Sequence, residues 1–166
     1  MRHAASPFIA VLAVTILWSC APAGPARSPG SVAMTPEQVV AGRRAAFRLS
    51  ASTFQLVRTA AEKGGDLRLI GAQARNLSLW AHALPGMFPE GTGPGVAGTR
   101  ARAEIWSNRA DFDQKAADYA VAATRLAELA QTGDIQQAGP QWDATRATCT
   151  ACHQKYRNGP APGSPF

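Results

Sequence analysis

The sequence predicts an all-α fold, an antiparallel four-helix bundle, on three observations. Four segments repeat apolar residues at three- and four-residue spacing, and no segment alternates with period two for long enough to be a strand. One long and two short connections join the four segments. In such a bundle any cofactor is held between facing helices.

The bundle does not need all 166 residues. Arg2 is followed by an apolar run from Phe8 to Trp18, interrupted only by Thr15, shorter than the roughly 20 residues that span a bilayer and matched to a secretory apolar core of roughly 7 to 15. Residues 1–20 are therefore expected to be a signal peptide, and the protein is expected in the periplasm. Two readings of the signal's end compete. Leu17-Trp18-Ser19-Cys20 resembles a bacterial lipoprotein signal, with a bulky Trp18 out of pattern, and would leave a lipidated Cys20 as a membrane tether. Cleavage near Ala21-Pro22-Ala23 would instead discard Cys20. Residues 21–34, rich in Pro, Ala, Gly and Ser, read as a flexible tether, 35–158 as the bundle, and 159–166 as a disordered tail.

The first helix is expected to open at Thr35, with Pro36 at the first helical position and Gln38 three residues on, a capping-box pattern. It runs to about Glu62 and stops at Gly64-Gly65. Val40, Phe47 and Phe54 lie at heptad spacing, Val57 continues their stripe, and Arg44, Arg48 and Arg58 fall on another face. Asp66 is placed to cap a second helix carrying Leu67, Ile70, Ala74 and Leu77 until Pro85. The glycines and prolines of PGMFPEGTGPGVAGT make 85–99 a loop.

Ser107 or Asn108 opens the third helix, in which Phe112, Ala116, Tyr119, Ala123, Leu126 and Ala130 form the cleanest apolar stripe before Gly133. Pro140 would clash with a preceding helical turn, so the fourth helix is expected to begin after Gly139-Pro140, with 134–138 as a separate short turn. Trp142, Thr145, Cys149, Cys152 and Tyr156 share one of its faces.

There are 17 basic and 11 acidic residues, a formal charge of +6. The arginines are scattered rather than gathered into a stripe, which argues against a nucleic-acid footprint and suits acidic protein partners.

The chemistry is concentrated in CTACH, Cys149 to His153. Cysteines at i and i+3 face the same way on a helix, so both sulfurs can form thioethers to one porphyrin while His153 presents a nitrogen to the iron. A thioredoxin-like redox pair would need a βαβ setting that this chain lacks. A zinc site would need a fourth ligand, with His82 the only other histidine beyond the leader. A structural disulfide is the remaining alternative. The expectation is one haem c, covalent through Cys149 and Cys152, with His153 as axial ligand. The 13 residues after His153 hold no Met or His, and their one lysine, Lys155, lies on the same helix. A sixth ligand would have to come from upstream, where His82, Met87 and Met34 are the candidates.

CTACHQKYR at the end, EIWSNRADFDQ from Glu104 to Gln114 and LPGMFPEGTG from Leu84 to Gly93 together resemble the class II c-type cytochromes, the cytochrome c prime family. The resemblance covers nearly everything from Thr35 to about Asn158. It implies that the first helix lies over the distal face of the haem, with position 47 methionine in low-spin carriers and a non-ligating apolar residue in five-coordinate members. Phe47 has no lone pair for iron and fills the distal space instead, so five-coordinate, high-spin iron is expected. The resemblance further implies that Arg43 pairs with a haem propionate, that Arg157 lies beside the proximal histidine, and that two copies can pair through the first and second helices.

The expected function is a periplasmic monohaem cytochrome that exchanges electrons with redox partner proteins and binds small gases, NO or CO. The alternative is a dedicated NO-binding, detoxifying or gas-sensing haem protein. An enzyme such as a peroxidase is not expected, since Phe47 offers no distal acid or base.

Overall fold

A computed structural model describes residues 33–159. The expectations for 1–32 and for 160–166 (the leader, Cys20, most of the tether and nearly all of the tail) lie outside the described residues.

Helix α1 spans Pro36–Glu62. Its start is the capping box read from the sequence: Gln38 N donates to Thr35 Oγ1 at 3.3 Å and Thr35 N donates to Gln38 Oε1 at 2.8 Å, so two end donors are satisfied reciprocally. Gly64, at φ +67°, turns the chain where other residues would be strained.

Asp66 caps the second helical segment as expected, but the first turn of that segment is 3-10, over Leu67–Ile70, and α2 proper spans Gly71–Ala83. A Cβ on Gly71 would sit 3.5 Å from Gln131 Cγ, so the chain turns into α2 close against the end of the third long helix. After a 3-10 turn at Leu84–Met87 the backbone is irregular to about Ala103. One turn of helix, α3, spans Glu104–Ser107, and α4 spans Arg109–Thr132 with Asn108 at its N-cap and Gly133 at φ +76° at its end.

Helix α5 spans Ile135–Tyr156, which corrects the expected break at Pro140 and the separate turn over 134–138. Two local features explain the correction. Asp134 Oδ1 accepts from Gln137 N at 3.2 Å, a cap that starts the helix before the proline. Gly139 stands immediately before Pro140, and without a Cβ it escapes much of the clash that excludes most pre-proline residues from helix. Pro140 then costs one backbone hydrogen bond inside a long helix.

The long helices pack in a closed cycle, α1 on α2, α2 on α4, α4 on α5 and α5 on α1, which is a four-helix bundle. The core falls into two clusters. One stacks Phe54 of α1 on Trp142 of α5, with ring centroids 4.4 Å apart and planes 11° from parallel, and the indole N–H donates to Phe54 O at 2.9 Å. The second gathers Leu84, Phe88, Ile105, Phe112 and Tyr156 at the end of the bundle where α5 terminates. Among the described residues there is no strand, only an isolated antiparallel bridge between Ala101 and Arg157.

Candidate cofactor site

The second cluster lines a cavity of about 260 Å³. Phe47, Leu84, Phe88, Ile105 and Phe112 give it apolar walls, and Cys152, His153, Tyr156 and Arg157 enter from the last turns of α5. Cys149 is half-buried one turn back and packs against the first cluster. Cys152 and His153 therefore line the cavity while Cys149 does not, although its three- and four-residue spacing puts it on the same side of α5.

The electrostatics fit a covalent cofactor better than a redox dithiol. Burial pushes both thiols up to about 11, Cys149 helped by its neighbour Cys152. Reactive CxxC pairs have depressed thiol pKa values and a standing thiolate, whereas these two are neutral thiols at pH 7. Burial, and then the charges of Arg157 and Arg100, push His153 down to about 4. A neutral imidazole keeps a lone pair for a metal. No cluster of three or more His, Cys, Asp or Glu that could hold an ion directly is found among the described residues.

Phe47 is half-buried, and its ring stands 6.4 Å from that of His153 at 62°, 5.1 Å from Trp80 and 6.4 Å from Phe88. The position singled out in α1 and the imidazole of α5 thus face each other. Trp80 Nε1, beside this wall, is the buried side-chain donor left without a partner among the described residues.

Arg43 lines the cavity and is 3% exposed. Its Nη1 donates to Met87 O and Thr92 Oγ1, both at 3.1 Å, and its Nη2 to Thr92 O and Thr99 Oγ1, both at 3.0 Å. The guanidinium also lies 4.2 Å over the Phe88 ring. Arg43 therefore ties α1 to the irregular segment after α2, and those two nitrogens are committed to protein oxygens. Burial lowers its pKa from the ordinary guanidinium value.

Arg157 follows His153 by one turn and lines the same cavity, its backbone N–H closing the helix on His153 O at 3.2 Å. The bridge to Ala101, with Arg102 N donating to Tyr156 O at 3.0 Å and Asn158 N to Arg100 O at 2.9 Å, straps this end of α5 to the 99–102 segment.

Three further arginines, Arg44, Arg48 and Arg100, line the cavity and were not singled out as site residues in the sequence. Two of them correct an expectation: Arg44 and Arg48, expected on another face of α1 from Phe47, line the cavity beside Phe47 and Ala51, since residues three and four apart share a face. Arg100 is brought there by the strap. The candidate sixth ligands are not among the lining residues. His82 Nε2 lies 3.3 Å from Thr124 Oγ1, Met87 packs against the second cluster, and Met34 is exposed.

The sequence profile described as Cytochrome C' matches residues 38–157. The cytochrome c' of Pararhodospirillum photometricum is 34% identical over 126 residues, covering 74% of this chain and 98% of that protein. That of Alcaligenes xylosoxydans xylosoxydans is 35% identical over 125 residues, covering 74% and 94%. Among solved structures, cytochrome c' from Rubrivivax gelatinosus superposes with a TM-score of 0.68 at 28% identity, over 75% of this chain and 98% of that one. A nitric oxide complex of a variant cytochrome c prime from Alcaligenes xylosoxidans superposes with a TM-score of 0.67 at 30% identity, over 75% and 98%. With the profile spanning most of the chain and the CxxCH arrangement at its expected place in the last helix, the chain belongs to the cytochrome c' family, whose members carry covalently attached haem c.

Proposed function

We propose that the protein is a periplasmic cytochrome c' whose haem iron is bound by His153 alone on the protein side and exchanges one electron or binds a small neutral gas. The observation that carries this reading is the pairing of Phe47 with His153 in one apolar cavity. A ring without a donor atom stands where a sixth ligand from α1 would have to come.

Haem c, when bound, supplies a one-electron couple and an iron position open to NO or CO. The chain's own residues do the rest. Cys149 and Cys152, both neutral thiols, are the covalent attachment points. His153, kept unprotonated by burial, would give a nitrogen to the iron. Phe47, with Phe88 and Leu84, gives the cavity an apolar wall, and that wall favours small neutral ligands over hydrated ones. Arg44, Arg48, Arg100 and Arg157 would supply positive charge for the two carboxylates of the cofactor, and Arg43, whose two terminal nitrogens hold the loop, adds its charge to the same lining.

Relatives support the gas reading. The Alcaligenes xylosoxidans protein is described in both a nitric oxide complex and a carbon monoxide complex of variants. A modestly basic surface, with Arg2 removed alongside the expected leader, would favour acidic redox partners. Pairing of two copies is supported by Leu49 and Leu56 on α1, 70% and 51% exposed at heptad spacing, and by a related cytochrome c' described as having ligand-controlled dimer dissociation. Among the described residues no helix is long and apolar enough to cross a membrane; the leader expected in residues 1–20 is what supports export.

Stopped-flow mixing of the reduced protein with NO and with CO is the test. Saturable binding of both supports the reading, and failure to bind either leaves an electron carrier only.

A further inference from the structure

The first turn of α4 carries a carboxylate, Asp111 within EIWSNRADFDQ, that has no role in the site so far described. Asp111 Oδ2 accepts from two consecutive residues of the last turn of α5: Lys155 Nζ at 2.9 Å and, in a short contact, the Tyr156 hydroxyl. Tyr156 is 2% exposed, stands edge-on to Phe112 with centroids 5.3 Å apart, and lines the same cavity as His153, three residues back. One oxygen therefore bolts the turn that carries Cys152 and His153 to the neighbouring helix. Asp111 sits where the N-terminal end of α4 favours a negative charge.

We propose that Asp111 and Lys155 are opposed potential-setting residues, the carboxylate holding the bound haem's ferric state and the ammonium its ferrous state. The inference rests on haem attachment as proposed above. Oxidation adds one positive charge at the iron, so a nearby anion stabilises the ferric protein and a nearby cation the ferrous. Asp111 is placed to act because it touches two residues of the ligand-bearing turn. Lys155 partly cancels the carboxylate's field, so removing either partner exposes the other's.

The test is the midpoint potential of the haem-loaded protein and two variants, each checked for helix content and for an unchanged five-coordinate spectrum. Asp111→Asn keeps an acceptor oxygen for Tyr156 and is expected to shift the ferric–ferrous equilibrium about threefold toward ferrous, about 28 mV upward for a one-electron couple. Lys155→Met is expected to shift it by about the same factor in the other direction. Loosening of the turn alone would not give opposite signs. Both potentials within error of the parent, or both moving the same way, overturn the inference while leaving the functional reading intact. Protein that emerges without covalent haem overturns the reading itself, and this inference with it.

Discussion

At position 47 the side chain lacks a lone pair, and in the reading proposed here that property leaves the iron open to a gas. Phe47→Met places a thioether on the face of α1 that looks toward His153. The variant is expected to turn low-spin and six-coordinate, and its CO affinity to fall by about tenfold or more, about 1.4 kcal/mol, read by titration of the reduced protein. Arg43 is the second residue on which the site depends. Arg43→Met removes four hydrogen bonds and leaves Met87 O and Thr92 O without their donor. A loss of about 3 kcal/mol is expected in urea unfolding followed by helix signal. Arg43 was legible as a buried cation on the Phe47 face because the two are one turn apart. Its partners were not, since Thr92 and Thr99 belong to a segment with no periodicity to place it, 49 and 56 residues along the chain.

The helices were legible wherever end signals and apolar spacing agreed. Thr35 with Gln38 gave the start of α1, and Gly133 gave the end of α4. The start of α5 was not legible, because Pro140 reads as a helix breaker while the Asp134 cap before it starts the helix and Gly139 relieves the separate pre-proline clash. Pro140→Ala should therefore stabilise the protein, by about 1 to 3 kcal/mol, since it restores a donor inside a helix that already exists. Gly133→Ala should do the reverse. The residue is left-handed at φ +76° and a Cβ would meet Arg68 Cζ at 3.1 Å, so about 1 to 2 kcal/mol is lost with the haem spectrum unchanged. The α4–α5 tie also has a pH signature. The hydrogen bond from Tyr156, and then that from Lys155, hold Asp111 below its ordinary value of 3.8. Because the folded state binds that proton less readily than the unfolded chain, the stabilisation is present above about pH 4 and is lost as pH falls through the depressed folded value. Acid unfolding of the haem-loaded Asp111→Asn variant should accordingly show a shallower decline below pH 4 than the parent.

For the molecule as a whole, the bundle brings together what the sequence keeps about a hundred residues apart: α1 with Phe47 and its flanking arginines, and the end of α5 with CTACH. The motif identified the cofactor and its attachment without any tertiary information, because the chemistry is local to one helical turn. The basic lining from Arg44, Arg48 and Arg100 is a product of assembly, visible only once α1 and the 99–102 strap meet the end of α5. The central claim is that the iron is gripped from one side only, by His153, with Phe47 opposite. An EPR spectrum of the ferric, haem-loaded protein at neutral pH tests it most directly: a high-spin signal is the predicted result, and a low-spin, six-coordinate signal would contradict it.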